Sequence, residues 1–349
     1  MKKIVAAFLC LILLLSLAAC GGGATSSEEP AKTEAEKLAE IFRGVIRVEE
    51  EDGAYIPLRF TDKELEAYAK DPTIPYSKCT TGVRMDFYTD AADISFRFSP
   101  NNAYHDNKEG FPSDSFDIYE NGEYKTSVTA SFMDSNREVA YTRTSTEAES
   151  RITIVFPMRH EIRIHTLSLG NYRPYTDYEY KILFFGDSIT QGLFAEMPSE
   201  NYVDQVCREL NADYLNLAVG GEKFRFEALA EDVPFAPDHI VIALGTNDKH
   251  QHLSLPTIEK NCNQYCDRIT RLYPNVPVTF ITPFEDQGQE HVDMYTKTAE
   301  KYGFKVVDGR TLIPAVAENF NPDGVHPSST GFALITRNLL PLLKQNMGI

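Results

Sequence analysis

The chain has 349 residues, 42% of them apolar and 24% charged. That length supports about two domains, and that composition excludes a disordered, collagenous or multi-span membrane chain. With 51 acidic against 34 basic residues the formal charge is −17, which repels phosphate backbones and anionic headgroups, so nucleic acid is excluded as a partner and any membrane attachment must be covalent or inserted.

Met1-Lys2-Lys3 precedes an uncharged run from Ile4 to Ala19, the layout of an export signal and too short for the ~20 apolar residues of a membrane span. Residues 1–19 are therefore read as a signal peptide. Leu17-Ala18-Ala19-Cys20 resembles a bacterial lipobox, which makes Cys20 the expected lipidation site and first mature residue. Gly21 to Pro30 has the composition of a flexible polar tether, and residues 20–40 are assigned to the lipidated Cys and tether. The expected location is that of an exported, cell-surface or membrane-anchored bacterial lipoprotein; a plain cleaved signal with Cys20 incidental is the alternative. Of the remaining cysteines, Cys262 and Cys266 stand four apart in a helical pattern, where Cβ atoms lie ~5–6 Å apart. A disulfide needs about 3.5–4.5 Å, so they read as small core residues.

Residues 41–176 read as a jelly-roll-like antiparallel β-sandwich. Val83, Met85 and Phe87, then Ile94, Phe96 and Phe98, then Ile152, Ile154 and Phe156 alternate with more polar neighbours, the period of half-buried strands. Asn121-Gly122 supplies a hairpin turn. Thr61 to Lys70 opens like a capping box and predicts one peripheral helix. After Tyr172-Arg173-Pro174-Tyr175-Thr176-Asp177, residues 177–349 alternate strands (Lys181–Phe185, Tyr214–Leu217, Ile240–Leu244, Val276–Ile281, Lys305–Val307) with helices (Asn201–Leu210, Ser254–Tyr273, Ser329–Gln345). This predicts an α/β domain with a parallel five-stranded sheet covered on both faces, its functional groups at the carboxyl ends of the strands.

Four short signals sit at such places. They are Gly186-Asp187-Ser188-Ile189-Thr190-Gln191-Gly192, Asn216-Leu217-Ala218-Val219-Gly220-Gly221, Gly245-Thr246-Asn247-Asp248 and Asp323-Gly324-Val325-His326-Pro327. The first is not a GxSxG nucleophile elbow, because Thr190 stands where its second glycine would be. In this order the four resemble the blocks of the GDSL, or SGNH, hydrolase family, from about Lys181 onward. The resemblance implies a flavodoxin-like doubly wound sheet, Ser188 as nucleophile with Asp323 and His326, and an oxyanion hole from the Ser188 and Gly221 amides and Asn247. Gly221 is chosen over Gly220 because the family pattern places that glycine five residues after the Asn of the same block.

The chemistry agrees on its own terms. A serine hydroxyl needs an imidazole to take its proton, a carboxylate three residues away can fix the imidazole tautomer, and amides can bind the carbonyl oxygen as it gains charge. No cofactor and no metal is called for. His250-Gln251-His252 follows the third block and reads as an exposed loop pair in preference to a metal site; Asp187 reads as an orienting hydrogen-bond partner.

An exported hydrolase with a preceding sandwich also resembles the two-domain bacterial SGNH esterases that deacetylate polysaccharides. The expected substrate is an acylated polysaccharide or small ester, with acetyl favoured if Phe194 and Phe284 close the acyl pocket. The alternatives are a lipase or lysophospholipase-type esterase on longer acyl chains, and a catalytically inactive surface glycan-binding lipoprotein.

Overall fold

The computed structural model describes residues 33–71, 75–101, 115–130 and 137–349. The leader 1–19, Cys20, the tether up to Lys32 and His105 lie outside the described residues. In chain order the elements are α1 (Glu34–Ala39), β1 (Phe42–Arg43), β2 (Arg47–Glu51), β3 (Ala54–Leu58), α2 (Asp62–Ala69), β4 (Arg84–Thr89), β5 (Asp93–Asn101), β6 (Ser115–Glu120), β7 (Glu123–Thr129), β8 (Glu138–Thr142), β9 (Ser150–Val155), β10 (Glu161–Ser168) and β11 (Tyr172–Pro174). There follow β12 (Tyr180–Gly186), α3 (Ser188–Gln191), α4 (Tyr202–Glu209), β13 (Ala212–Asn216), β14 (His239–Ala243), α5 (Thr246–His250), α6 (Leu255–Leu272), β15 (Val278–Ile281), α7 (Gln289–Lys301), β16 (Lys305–Val307) and α8 (Ser329–Met347).

The first eleven strands form two antiparallel sheets, ordered β1-β4-β9-β6-β7 with β11 on β4, and β2-β3-β10-β5-β8. Between them the rings of Phe96, Phe98 and Phe156 all pack on Phe116, with centroids 4.8–5.3 Å away, each worth about 1.5–3 kcal/mol of burial. Asn121 and Gly122 both adopt positive φ, +52° and +83°, and turn β6 into β7 as an Asn-Gly pair should.

Three features differ from the sequence reading. From Glu34 onward the segment read as tether is folded: Thr33 and Glu36 form a capping box at the start of α1, and Leu38 is buried in the sandwich core. The polar alternates of β4 are buried too, because this face of the sheet is covered by the C-terminal half. Arg84 pairs with Asp213 at 2.7 Å and lies 4.0 Å over the Tyr214 ring, and Asp86, paired with Arg151 of β9 at 2.7 Å, also accepts the Tyr178 hydroxyl. Nor is α2 peripheral. Its start is capped as expected by Thr61 and Glu64, but Tyr68 packs on Phe60, and both join the core that contains Leu183, Leu215 and Ile240. Periodicity reports an apolar face without reporting what covers it.

The C-terminal sheet is parallel, ordered β13-β12-β14-β15-β16. This is the flavodoxin-like order, whose switch point lies between β12 and β14 at their carboxyl ends. Helices α4 and α8 cover one face, α6 and α7 the other. Cys262 and Cys266 on α6 are buried free thiols.

Candidate active site

The first block follows β12 directly. Asp187 caps α3 by accepting the Ile189 amide on its side chain at 3.0 Å, which leaves Ser188 as the first residue of the helix, only 7% exposed. Such a cap fixes where the serine side chain begins. Across the site, the loop before α8 folds on itself: Asn321 donates its backbone amide to the His326 carbonyl at 2.8 Å and its side-chain amide to the Pro327 carbonyl at 2.8 Å. Inside that loop Asp323 Oδ1 accepts the amides of Val325 and His326 at 2.9 and 3.0 Å.

These two elements bring Ser188, Asp323 and His326 together. His326 Nδ1 is 2.7 Å from Asp323 Oδ2, and His326 Nε2 is 2.7 Å from Ser188 Oγ. An ionised carboxylate only accepts, so Nδ1 carries the proton and Nε2 presents its lone pair to the serine hydroxyl. Burial pushes the Asp323 carboxyl up, but the two amides and the imidazole outweigh it and hold it below its ordinary value.

The second block follows β13. Asn216 binds both ways, donating to the Thr190 carbonyl at 2.8 Å and accepting the Ala218 amide at 2.9 Å, so the loop is tied to α3. Gly220 gives its amide to Gln191 Oε1 at 2.6 Å. Gly221 has φ +85°, a region that favours glycine. In the third block Asn247 donates to the Glu222 carbonyl at 3.0 Å, joining the first turn of α5 to the residue after Gly221.

Two buried acids flank these loops. Burial pushes the carboxyls of Asp187 and Asp248 up to about 7. A carboxyl raised from about 4 when unfolded to about 7 when folded contributes stability that is complete below pH 4 and lost as pH rises through 7. Asp248→Asn should therefore gain melting temperature relative to wild type on going from pH 5 to pH 8, by on the order of 5 °C. A difference between variant and wild type that stays constant across that range would contradict the assignment.

The two phenylalanines expected at the acyl pocket lie in different places. Phe194, at φ +74°, lays its ring 4.6 Å from that of His326, and the Arg159 guanidinium stands 5.6 Å over the same phenyl ring. Phe284 is instead buried against Tyr202 in the core between the sheet and α4 and α8. His250 Nε2 lies 2.9 Å from Glu285 Oε1, and among the described residues no group of three or more His, Cys, Asp or Glu side chains is placed to hold a metal. Sequence reasoning missed Gln191, whose side-chain amide donates to the Met158 carbonyl at 3.2 Å while accepting Gly220. A glutamine three residues after the serine was in view, but its partner in the sandwich was not.

Residues 184–334 match the family model of the GDSL-like lipase/acylhydrolase family. No curated protein sequence matches the chain. Among solved structures, a salicylyl-acyltransferase from a tetracycline biosynthetic pathway superposes with TM-score 0.75 at 18% identity, over 88% of this chain and 93% of its own. A family two carbohydrate esterase from Cellvibrio japonicus gives 0.63 at 15% identity over 89% and 97%, and an acetyl xylan esterase from the rumen bacterium Butyrivibrio proteoclasticus gives 0.59 at 15% over 86% and 97%. At such identities the likeness speaks for the fold alone, and its extent covers both the sandwich and the parallel sheet.

Proposed function

Because this chain belongs, through residues 184–334, to the GDSL-like lipase/acylhydrolase family, we propose that it is a serine ester hydrolase that removes small acyl groups, acetyl above all, from carbohydrate. The observation that carries the hydrolase reading is the unbroken chain from Asp323 through His326 to Ser188, with 2.7 Å at each link. In this reading Ser188 Oγ attacks the ester carbonyl while its proton passes to His326 Nε2. The tetrahedral oxygen is held by the Ser188 and Gly221 amides and the Asn247 side chain. His326 then gives the proton to the departing alcohol, which leaves an acyl-serine. Water, deprotonated by the same imidazole, releases the acid and restores the serine.

Carbohydrate is favoured by the combination of a sandwich with this sheet, which the carbohydrate esterases named above share, and by an acidic chain better matched to a neutral glycan than to a polyanion. A short acyl group is favoured by Phe194, whose ring occupies space directly beside the imidazole. A longer chain has one observation on its side, a groove of about 530 Å3 lined by Phe284, Val316 and Phe320 next to the Asp323 loop.

Nitrophenyl acetate, butyrate and octanoate separate these readings. We expect kcat/KM to fall tens-fold from acetyl to octanoyl, the cost of overpacking a pocket by about 1–3 kcal/mol, with acetate released from acetylated xylan or peptidoglycan. A flat or rising series would assign the enzyme to lipid-type esters.

A further inference from the structure

The geometry points to Arg59, contributed by the sandwich half, as a positioning residue that sets the oxyanion loop after β13. This rests on the serine hydrolase reading above and extends it to the N-terminal half. Arg59 follows β3 and is 2% exposed. Its Nε donates to the Cys79 carbonyl at 2.8 Å, and its Nη1 donates to the carbonyls of Asn216 and, at 3.2 Å, Ala218. Asn216 and Ala218 open the segment that runs to Gly221. The guanidinium also lies 4.7 Å over the Phe60 ring, which fixes its plane.

The same segment is held a second time from the sandwich. Met158 accepts Gln191 Nε2, and Gln191 Oε1 accepts the Gly220 amide, the residue immediately before Gly221. At the strand end of the loop the fit is close: a Cβ on Gly82, at φ +70°, would lie 3.0 Å from Asn216 Cβ. Both ends of the loop are thus referenced to residues of the N-terminal half. A donor in an oxyanion hole acts through its placement, and displacements of about 1 Å from remote changes cost about 10²-fold. Arginine suits the task because its rigid planar fork reaches several carbonyls in fixed directions, whereas the lysine ammonium is a point charge that cannot reproduce the fork. A sandwich that serves only as a wall or a glycan-binding surface would have no reason to send a buried cation beneath this loop.

The test uses the full chain with Arg59→Lys, Arg59→Met and Gln191→Leu, and with Leu65→Ala on α2 as a packing control, since Leu65 packs on the same core and its side chain has no donor for these carbonyls. The readouts are kcat and KM for nitrophenyl acetate, the inhibition constant of phenylboronic acid, which becomes a tetrahedral anion on the serine, and melting temperature. Arg59→Lys is expected to lose about 10–100-fold in kcat with KM within threefold, and to weaken boronate binding by a similar factor. Leu65→Ala is expected to lower the melting temperature and keep kcat. If Arg59→Met does not fold, the lysine and Gln191 variants carry the measurement. Wild-type kcat and boronate affinity in folded Arg59→Lys would overturn the inference, as would an equal loss in Leu65→Ala. An inactive wild type would overturn the hydrolase reading with it, whereas an active wild type and an equally active Arg59→Lys overturn this inference alone.

Discussion

Ser188→Ala should lower kcat for an acetyl ester by on the order of 10⁶, the scale on which a triad nucleophile acts, with circular dichroism and melting temperature unchanged. The reason for the separation lies in how α3 begins. Its first turn is capped by the Asp187 side chain on the Ile189 amide, and Thr190 binds the Tyr202 hydroxyl at 2.8 Å. Neither bond involves the serine hydroxyl, which makes its hydrogen bond to His326 Nε2. Removing Oγ therefore takes away the proposed attacking atom and spares the local fold. His326→Gln should fall by a comparable factor, and the double variant should be no worse than either single one, because the two groups act as a unit. Turnover within tenfold of wild type in folded Ser188→Ala would remove Ser188 from the role of nucleophile, and independent losses that multiply in the double variant would show that the two residues do not act together.

What could be read from the residues alone was whatever is local. The strand-helix alternation after Asp177 gave the parallel sheet because period and length are properties of short segments, and β16 begins and ends where the sequence places it, at Lys305 and Val307. Edges set by caps came out close: Asn201 accepts the Asp204 amide and so starts α4 one residue after the sequence reading placed it. The four blocks were legible because each follows a strand end or precedes α8, and parallel topology carries those positions to one edge of the sheet. What stayed hidden is non-local. Arg84 and Asp86 read as the solvent face of β4 and are buried because Asp213, Tyr214 and Tyr178 cover them. Phe284 read as an acyl-pocket wall, and it is buried against Tyr202 in the core between the sheet and α4 and α8. Arg59 carries no signal of its own in a stretch that reads Pro-Leu-Arg-Phe-Thr; its role becomes visible only when Asn216 is brought next to it. Side chains that act across an interface between two halves leave no periodicity behind.

Asp323→Asn should cost about 10⁴ in kcat, the scale seen when a triad carboxylate becomes an amide, while the loop around it persists. The structure separates the two effects by oxygen atom. Asp323 Oδ1 accepts the Val325 and His326 amides, a task an asparagine carbonyl performs equally well. Asp323 Oδ2 faces His326 Nδ1 at 2.7 Å, and there the variant presents an NH2 group. Two donors cannot share that contact, so the imidazole moves its proton to Nε2 and Nδ1 becomes the acceptor. The nitrogen facing Ser188 Oγ then carries a hydrogen and can no longer take the serine's proton. The acid limb of stability supplies an independent readout. Asp323 is held below its ordinary value, so its contribution to stability is present above the unfolded carboxylate range and lost as pH falls through the lowered value. The variant lacks this term and should lose less stability than wild type on acidification, though the effect is small for a side chain 38% exposed. If Asp323 serves only to close the turn, the asparagine variant keeps nearly full turnover, since both backbone bonds survive, and the third member of the triad must then be sought elsewhere. If it orients the imidazole, turnover collapses at every pH while the fold remains, because the defect lies in which nitrogen bears the proton and no change of solution pH restores the original tautomer.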